Sequence, residues 1–152
     1  MTRSNARELA IHLIYSRCFT KDDPSVIIAS RLDKKYYEDL SEENQVYSDM
    51  PSSAQKAYIS AVVEGVASRE EELDALIQRH SVGWDVSRIS KLARSIMQLA
   101  IFEIQCVEDV PVGVAISEAV RIAKLYDGDD TGAFVNGILG SFARSLSSEV
   151  SS

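Results

Sequence analysis

The run from Asp109 to Leu139, DVPVGVAISEAVRIAKLYDGDDTGAFVNGIL, decides the fold. Asp109-Val110-Pro111 stops one helix and starts the next, because proline lacks an N–H and is tolerated only in a helix's first turn. Val114, Ala115, Ile116, Ala119, Val120, Ile122 and Ala123 then follow at helical spacing. The turn Asp127-Gly128-Asp129-Asp130-Thr131-Gly132 separates this helix from a last one, which bears Phe134, Val135, Ile138, Leu139, Phe142 and Leu146. No alternation of apolar and polar residues competes, so a pair of helices is expected here.

The same signals extend toward the N-terminus. Ile96, Met97, Leu99, Ala100, Phe102 and Ile104 define the preceding helix. Ile59, Val62, Val63, Val66, Leu73, Leu76 and Ile77 form the apolar stripe of a long helix from about Ser53 to His80. Ser81 to Trp84, with Gly83, mark a joint between subdomains. A first helix is expected from about Ser4 to Phe19, with Ala6, Leu9, Ala10, Leu13 and Ile14 on one face. Asp23-Pro24 reads as a cap followed by the first position of a second helix, which fades near Leu40. Residues 41–52 are polar and aperiodic and read as a loop. The expected fold is all-α, with about seven helices in two packed helical subdomains, residues 1–80 and 81–152, that together make one domain.

Composition narrows the function. With 152 residues and 45% hydrophobic content the chain can bury one core, and it contains no apolar run long enough to span a bilayer. Met1 to Leu13 carries Arg3, Arg7 and Glu8 and lacks the apolar centre of a secretory signal, so the cytoplasm is the expected compartment. A net charge of -7 and a pI near 4.8 argue against a surface that grips nucleic acid all over. The charge is uneven, however. The first twenty residues hold Arg3, Arg7 and Arg17 against Glu8 alone, whereas Asp22 to Asp49 is dominated by acids. A small basic end on an acidic body can bind a polyanion locally, with strong salt sensitivity.

Catalytic constellations do not emerge. His12 and His80 have no second histidine or cysteine at metal-ligand spacing. Cys18 and Cys106 sit inside apolar helical patterns and read as small buried hydrophobes. Gly128 to Gly132 is too short and too acidic to cradle a phosphate, and Glu70-Glu71-Glu72 reads as a solvated helix face. The expectation is a binding module without cofactor, metal or enzymatic activity.

Five blocks in order carry a more specific signal. They are Ala6-Arg7-Glu8 with Ala10 and Tyr15; Tyr58-Ile59-Ser60 through Glu64-Gly65-Val66, followed by Trp84; Arg94 to Ile104; Asp109-Val110-Pro111 with Val114 to Val120 and Ala123-Lys124; and Phe134 to Leu139. Together they resemble the NusB family over most of the chain, with residues 22–52 matching poorly. The resemblance implies an all-helical transcription antitermination factor. It would bind the single-stranded boxA element of ribosomal RNA leaders together with NusE, a small-subunit ribosomal protein. The pair would act with NusA, NusG and RNA polymerase to suppress premature termination.

The resemblance also points to residues. Arg3 and Arg7 match the arginine-rich first helix that touches RNA phosphates in the family, and their four-residue spacing places them on one side of a helix. Phe134 matches the phenylalanine that opens the family's last helix and is a candidate platform for stacking a base. Tyr15 is a second aromatic candidate, and His12 stands where many relatives carry glutamine. Arg88, Lys91, Arg94 and Ser95 are the candidate contacts to a protein partner. Two departures stand out: the set of cations before Arg7 is thin, and Gln98 occupies a position that is often basic. Weak RNA binding by the isolated chain is therefore expected. A protein-binding helical scaffold or homodimer with little RNA binding of its own is the alternative.

Overall fold

A computed structural model describes residues 2–33, 50–83 and 89–151, with side chains as far as residue 146. Among these residues there are seven α-helices and no strand. They are α1 (Arg3–Thr20), α2 (Pro24–Arg31), α3 (Ser53–Ser68), α4 (Glu70–Arg79), α5 (Lys91–Cys106), α6 (Val112–Asp127) and α7 (Asp129–Ser151). The chain divides into two compact units, Met1–Ser68 and Arg69–Ser152. Of the loop expected at 41–52, residues 50–52 are described and are not helical; the rest lies outside the described residues, as does Trp84.

In the first unit α1 and α2 both pack on α3. Thr2 caps α1 by accepting the backbone N–H of Asn5 at 3.1 Å, and Lys21 closes it in the left-handed conformation that commonly ends helices. Asp23 caps α2 with Pro24 at the first position, as the sequence predicts; its Oδ1 accepts from Ser25 N at 2.9 Å. The five residues of the expected apolar face of α1 are all buried. So are Arg7, Glu8 and Ile11 on the remaining sides, which makes α1 an interior helix rather than a one-sided one. Ile27 of α2 and Tyr58, Ile59, Val62, Val63 and Val66 of α3 add to this unit's buried apolar set. Each such side chain contributes on the order of 2 kcal/mol of burial free energy.

In the second unit α5 is the central element. It packs on α4, α6 and α7, and every residue from Ser95 to Glu103 is buried. Leu73 and Ile77 of α4, Ala115, Ala119, Ile122 and Ala123 on successive turns of α6, and Val135, Ile138, Leu139 and Phe142 of α7 supply the surrounding apolar faces. Ser90 caps α5, its Oγ accepting from Ala93 N at 3.0 Å and donating to Asp127 Oδ2 at 3.3 Å.

Several features differ from the sequence reading. The second helix, expected to fade near Leu40, ends at Arg31 with Leu32 as its C-cap. The helix expected from Ser53 to His80 is broken at Arg69, where φ -117° and ψ 19° leave the helical region. Glu70, Glu71 and Glu72 then occupy the first turn of α4, where carboxylates stabilise a helix N-terminus. The turn after α6 is a single residue: Gly128, at φ 93° and ψ 174°, lets α7 begin at Asp129. Finally, Cys106 is exposed and Cys18 only half-buried, because Cys106 is the last residue of α5, where the helix leaves the core. Arg69 Nη1 donates to Cys106 Sγ at 2.8 Å.

Candidate nucleic-acid interface

The basic end of the chain is built on α1. Arg3 lies in its first turn, exposed, with its guanidinium carbon 4.3 Å from the ring centroid of Tyr58 on α3. Arg7, one turn on, is only 4% exposed. The two arginines share a side of the helix, as their spacing predicts, but Arg3 is an exposed residue and Arg7 a buried one. Arginine can bury its stem and still reach water with its head; at 4% exposure the head is covered as well.

His12 and Tyr15 lie farther along α1 and are both half-buried. At 100° per residue His12 falls roughly half a turn around the axis from Arg3, so the two do not share one face. Burial, and then the positive charge of Arg31 on α2, push the His12 pKa down to about 4. The imidazole is therefore neutral near pH 7, able to donate or accept one hydrogen bond but bringing no charge to a phosphate. Tyr15 meets Phe19 edge to face, with ring centroids 5.0 Å apart and planes at 83°. Phe19 is 60% exposed and is an aromatic surface that the sequence reading did not single out.

In the second unit Phe134 is half-buried on α7, one residue before the fully buried Val135. Part of its ring is accessible and part is committed to packing. Among the partner candidates, Lys91 is exposed, Arg94 half-buried and Ser95 fully buried, with its Oγ donating to the Lys91 carbonyl at 2.8 Å. Arg88 lies outside the described residues. Gln98 is 3% exposed and donates to Asp74 Oδ1 at 2.7 Å, so it serves the packing of α5 on α4.

The sequence pattern missed Tyr58 and Arg31. Both act on α1 candidates from other helices, and no local periodicity reports such a pairing.

The NusB family model matches residues 4–144. The chain belongs to the NusB family. Its curated relatives include the transcription antitermination protein NusB of Acetivibrio thermocellus, 41% identical over 92% of this chain and 87% of the relative. That of Symbiobacterium thermophilum is 34% identical over 96% and 92%. Among solved structures, Thermotoga maritima NusB superposes with a TM-score of 0.77 at 27% identity, covering 95% of this chain and 92% of that one. A complex of NusB and NusE with double-stranded RNA superposes at 0.73 and 21% identity, covering 94% and 96%, and establishes the shared fold. NusB proteins are RNA-binding transcription factors rather than enzymes. Among the described residues no helix is long and apolar enough to cross a membrane.

Proposed function

We propose that this protein is a cytoplasmic transcription antitermination factor that binds boxA-type single-stranded RNA jointly with NusE, in the assembly that also contains NusA, NusG and RNA polymerase. Membership of the NusB family across residues 4–144 carries the reading. A NusB homologue of the same fold forms a complex with NusE and RNA, which supports both partners. No bond is made or broken; the mechanism is recognition. Arg3 takes a phosphate, His12 offers one neutral hydrogen bond, and Tyr15 and Phe134 offer partly open rings to bases. Arg7 contributes to RNA only if its cover is moved. Lys91 and Arg94, with Arg88, contact the protein partner.

The low count of open cations makes the partner necessary. Each phosphate contact on a single strand contributes about 0.7 to the logarithmic salt slope, and a net charge of -7 opposes RNA at long range. A basic ribosomal protein docked on this acidic chain supplies the missing charge and is steered toward it. The test is gel filtration of this chain, its cognate NusE and a boxA RNA. Co-elution of all three, lost when the boxA sequence is scrambled, is the expected result; RNA eluting alone in both cases overturns the proposal. The rival reading, a protein-only scaffold, is favoured by the burial of Arg7; it requires co-elution with a protein partner and none with RNA.

A further inference from the structure

Phe19, one residue before the end of α1, is 60% exposed. A single exposed apolar side chain is ordinary on a protein surface. Phe19 is not single in this sense, because it closes a row of three ring side chains on one face of α1. At 100° and 1.5 Å per residue, His12, Tyr15 and Phe19 fall within about 60° of one another, over about 10 Å of the helix axis. Exposure rises along the row, from the half-buried His12 and Tyr15 to Phe19. The Tyr15 and Phe19 rings meet at 5.0 Å and 83°, the edge-to-face arrangement that aromatic pairs favour. This contact restricts the rotamers of Phe19, so less freedom remains to be lost when its ring is covered.

We propose that Phe19 is a base-stacking residue of the RNA interface, whose exposed ring surface takes a nucleobase of the bound single strand. The inference rests on the RNA-binding reading above and extends its interface from His12 and Tyr15 to the C-terminal end of α1. Two observations favour a nucleobase over an apolar protein segment as the occupant. The helix is basic, with Arg3, Arg7 and Arg17 against Glu8 and with Lys21 at its C-cap, and proteins that hold single strands combine such cations with aromatic rings. The residues that follow Phe19, Thr20 to Asp23, are all polar and exposed, so the ring is not continued along the chain into the contiguous apolar patch that marks a protein-docking site. A flat base needs one ring only. Because every base has a π-face, the contact adds affinity without choosing the base.

The experiment measures anisotropy of a labelled boxA RNA with the full chain and saturating NusE. The chains compared are the wild type, Phe19→Tyr, Phe19→Leu and Phe19→Ala, with a thermal melt of each and its affinity for NusE in the absence of RNA. Phe19→Tyr keeps a ring and should bind RNA within about two-fold of wild type, whereas Phe19→Leu and Phe19→Ala should bind about five-fold or more weakly. NusE affinity without RNA should not change. A second readout places a fluorescent adenine analogue, whose emission falls on stacking, at successive positions of the RNA. At saturation one position should be brighter with Phe19→Leu than with wild type. Phe19→Leu binding RNA like wild type overturns the proposal. So does an RNA loss matched by an equal loss of NusE affinity, which would place Phe19 beneath the protein partner, and so does the absence of any position that brightens. If the wild-type chain with NusE binds no RNA, the RNA-binding reading fails first and this inference with it.

Discussion

The side-chain amide of Gln98 donates to Asp74 Oδ1 at 2.7 Å and ties the middle of α5 to α4. Gln98 is almost wholly buried and Asp74 half-buried, so the bond is made largely away from solvent. A hydrogen bond to a charged acceptor contributes about 1.5–3 kcal/mol, and truncation also leaves a gap. Gln98→Ala should therefore lower stability by about 2–3 kcal/mol, read from the denaturation midpoint. RNA affinity of the folded fraction should not change, because the side chain does not reach the surface. A change in RNA affinity without a change in stability would place Gln98 at the interface instead.

His12 sets a pH dependence. Its folded pKa, about 4, lies below the ordinary value of 6.5, so the unfolded chain binds the proton more tightly. Stability from this group is fully present above pH 6.5 and is lost as pH falls from 6.5 toward 4. The total is on the order of 2–3 kcal/mol. Burial lowers the His80 pKa as well, and its contribution runs in the same direction. Unfolding midpoints of wild type and His12→Gln at several pH values between 7 and 4 isolate His12: the variant should lose less stability on acidification. Parallel curves would contradict the account.

Two glycines should respond in opposite directions. Gly128 ends α6 at φ 93° and ψ 174°, a region nearly closed to other residues. Gly128→Ala should cost about 1–3 kcal/mol. Gly137 lies inside α7, and a Cβ there meets nothing within 4 Å. Gly137→Ala should add about 0.5–1 kcal/mol through helix propensity. Thermal melts of the two variants check both signs.

Arg3 and Arg7 should separate in the same way. Arg7 is buried, so Arg7→Ala removes a large packed side chain and should destabilise the fold by about 2–4 kcal/mol. Arg3 is exposed, so Arg3→Ala should cost less than about 1 kcal/mol in stability. It should still weaken RNA binding and lower the salt slope by about 0.7. Paired melts and salt titrations read these effects; equal stability losses would contradict the assignment.

Much of the fold was legible in the sequence because its punctuation is local. Asp23-Pro24 and Asp109-Val110-Pro111 mark the starts of α2 and α6, and the apolar residues of α1, α3, α5 and α7 keep helical spacing. The break at Arg69 was not legible: Ser68-Arg69-Glu70 contains no glycine or proline, and the apolar periodicity runs through it. The one-residue turn at Gly128 was hidden among polar residues that favour turns and helix N-termini alike. At the candidate interface the residue types were legible but their exposure was not. Arginine is normally solvated, so the burial of Arg7 has no sequence signature. Ser95, four residues and about one turn beyond Lys91, spends its hydroxyl on that residue's carbonyl. The Arg3–Tyr58 and His12–Arg31 relationships depend on helix packing, which spacing along one helix does not encode.

The central claim is that this chain recognises RNA jointly with NusE, and fluorescence anisotropy tests it most directly. A labelled boxA RNA is titrated with the chain, with and without its cognate NusE, at two salt concentrations. The account predicts tight, salt-sensitive binding with NusE and weak binding without it. Nanomolar binding by the chain alone at physiological salt would contradict the need for a partner, and absence of binding in either condition would contradict RNA recognition itself.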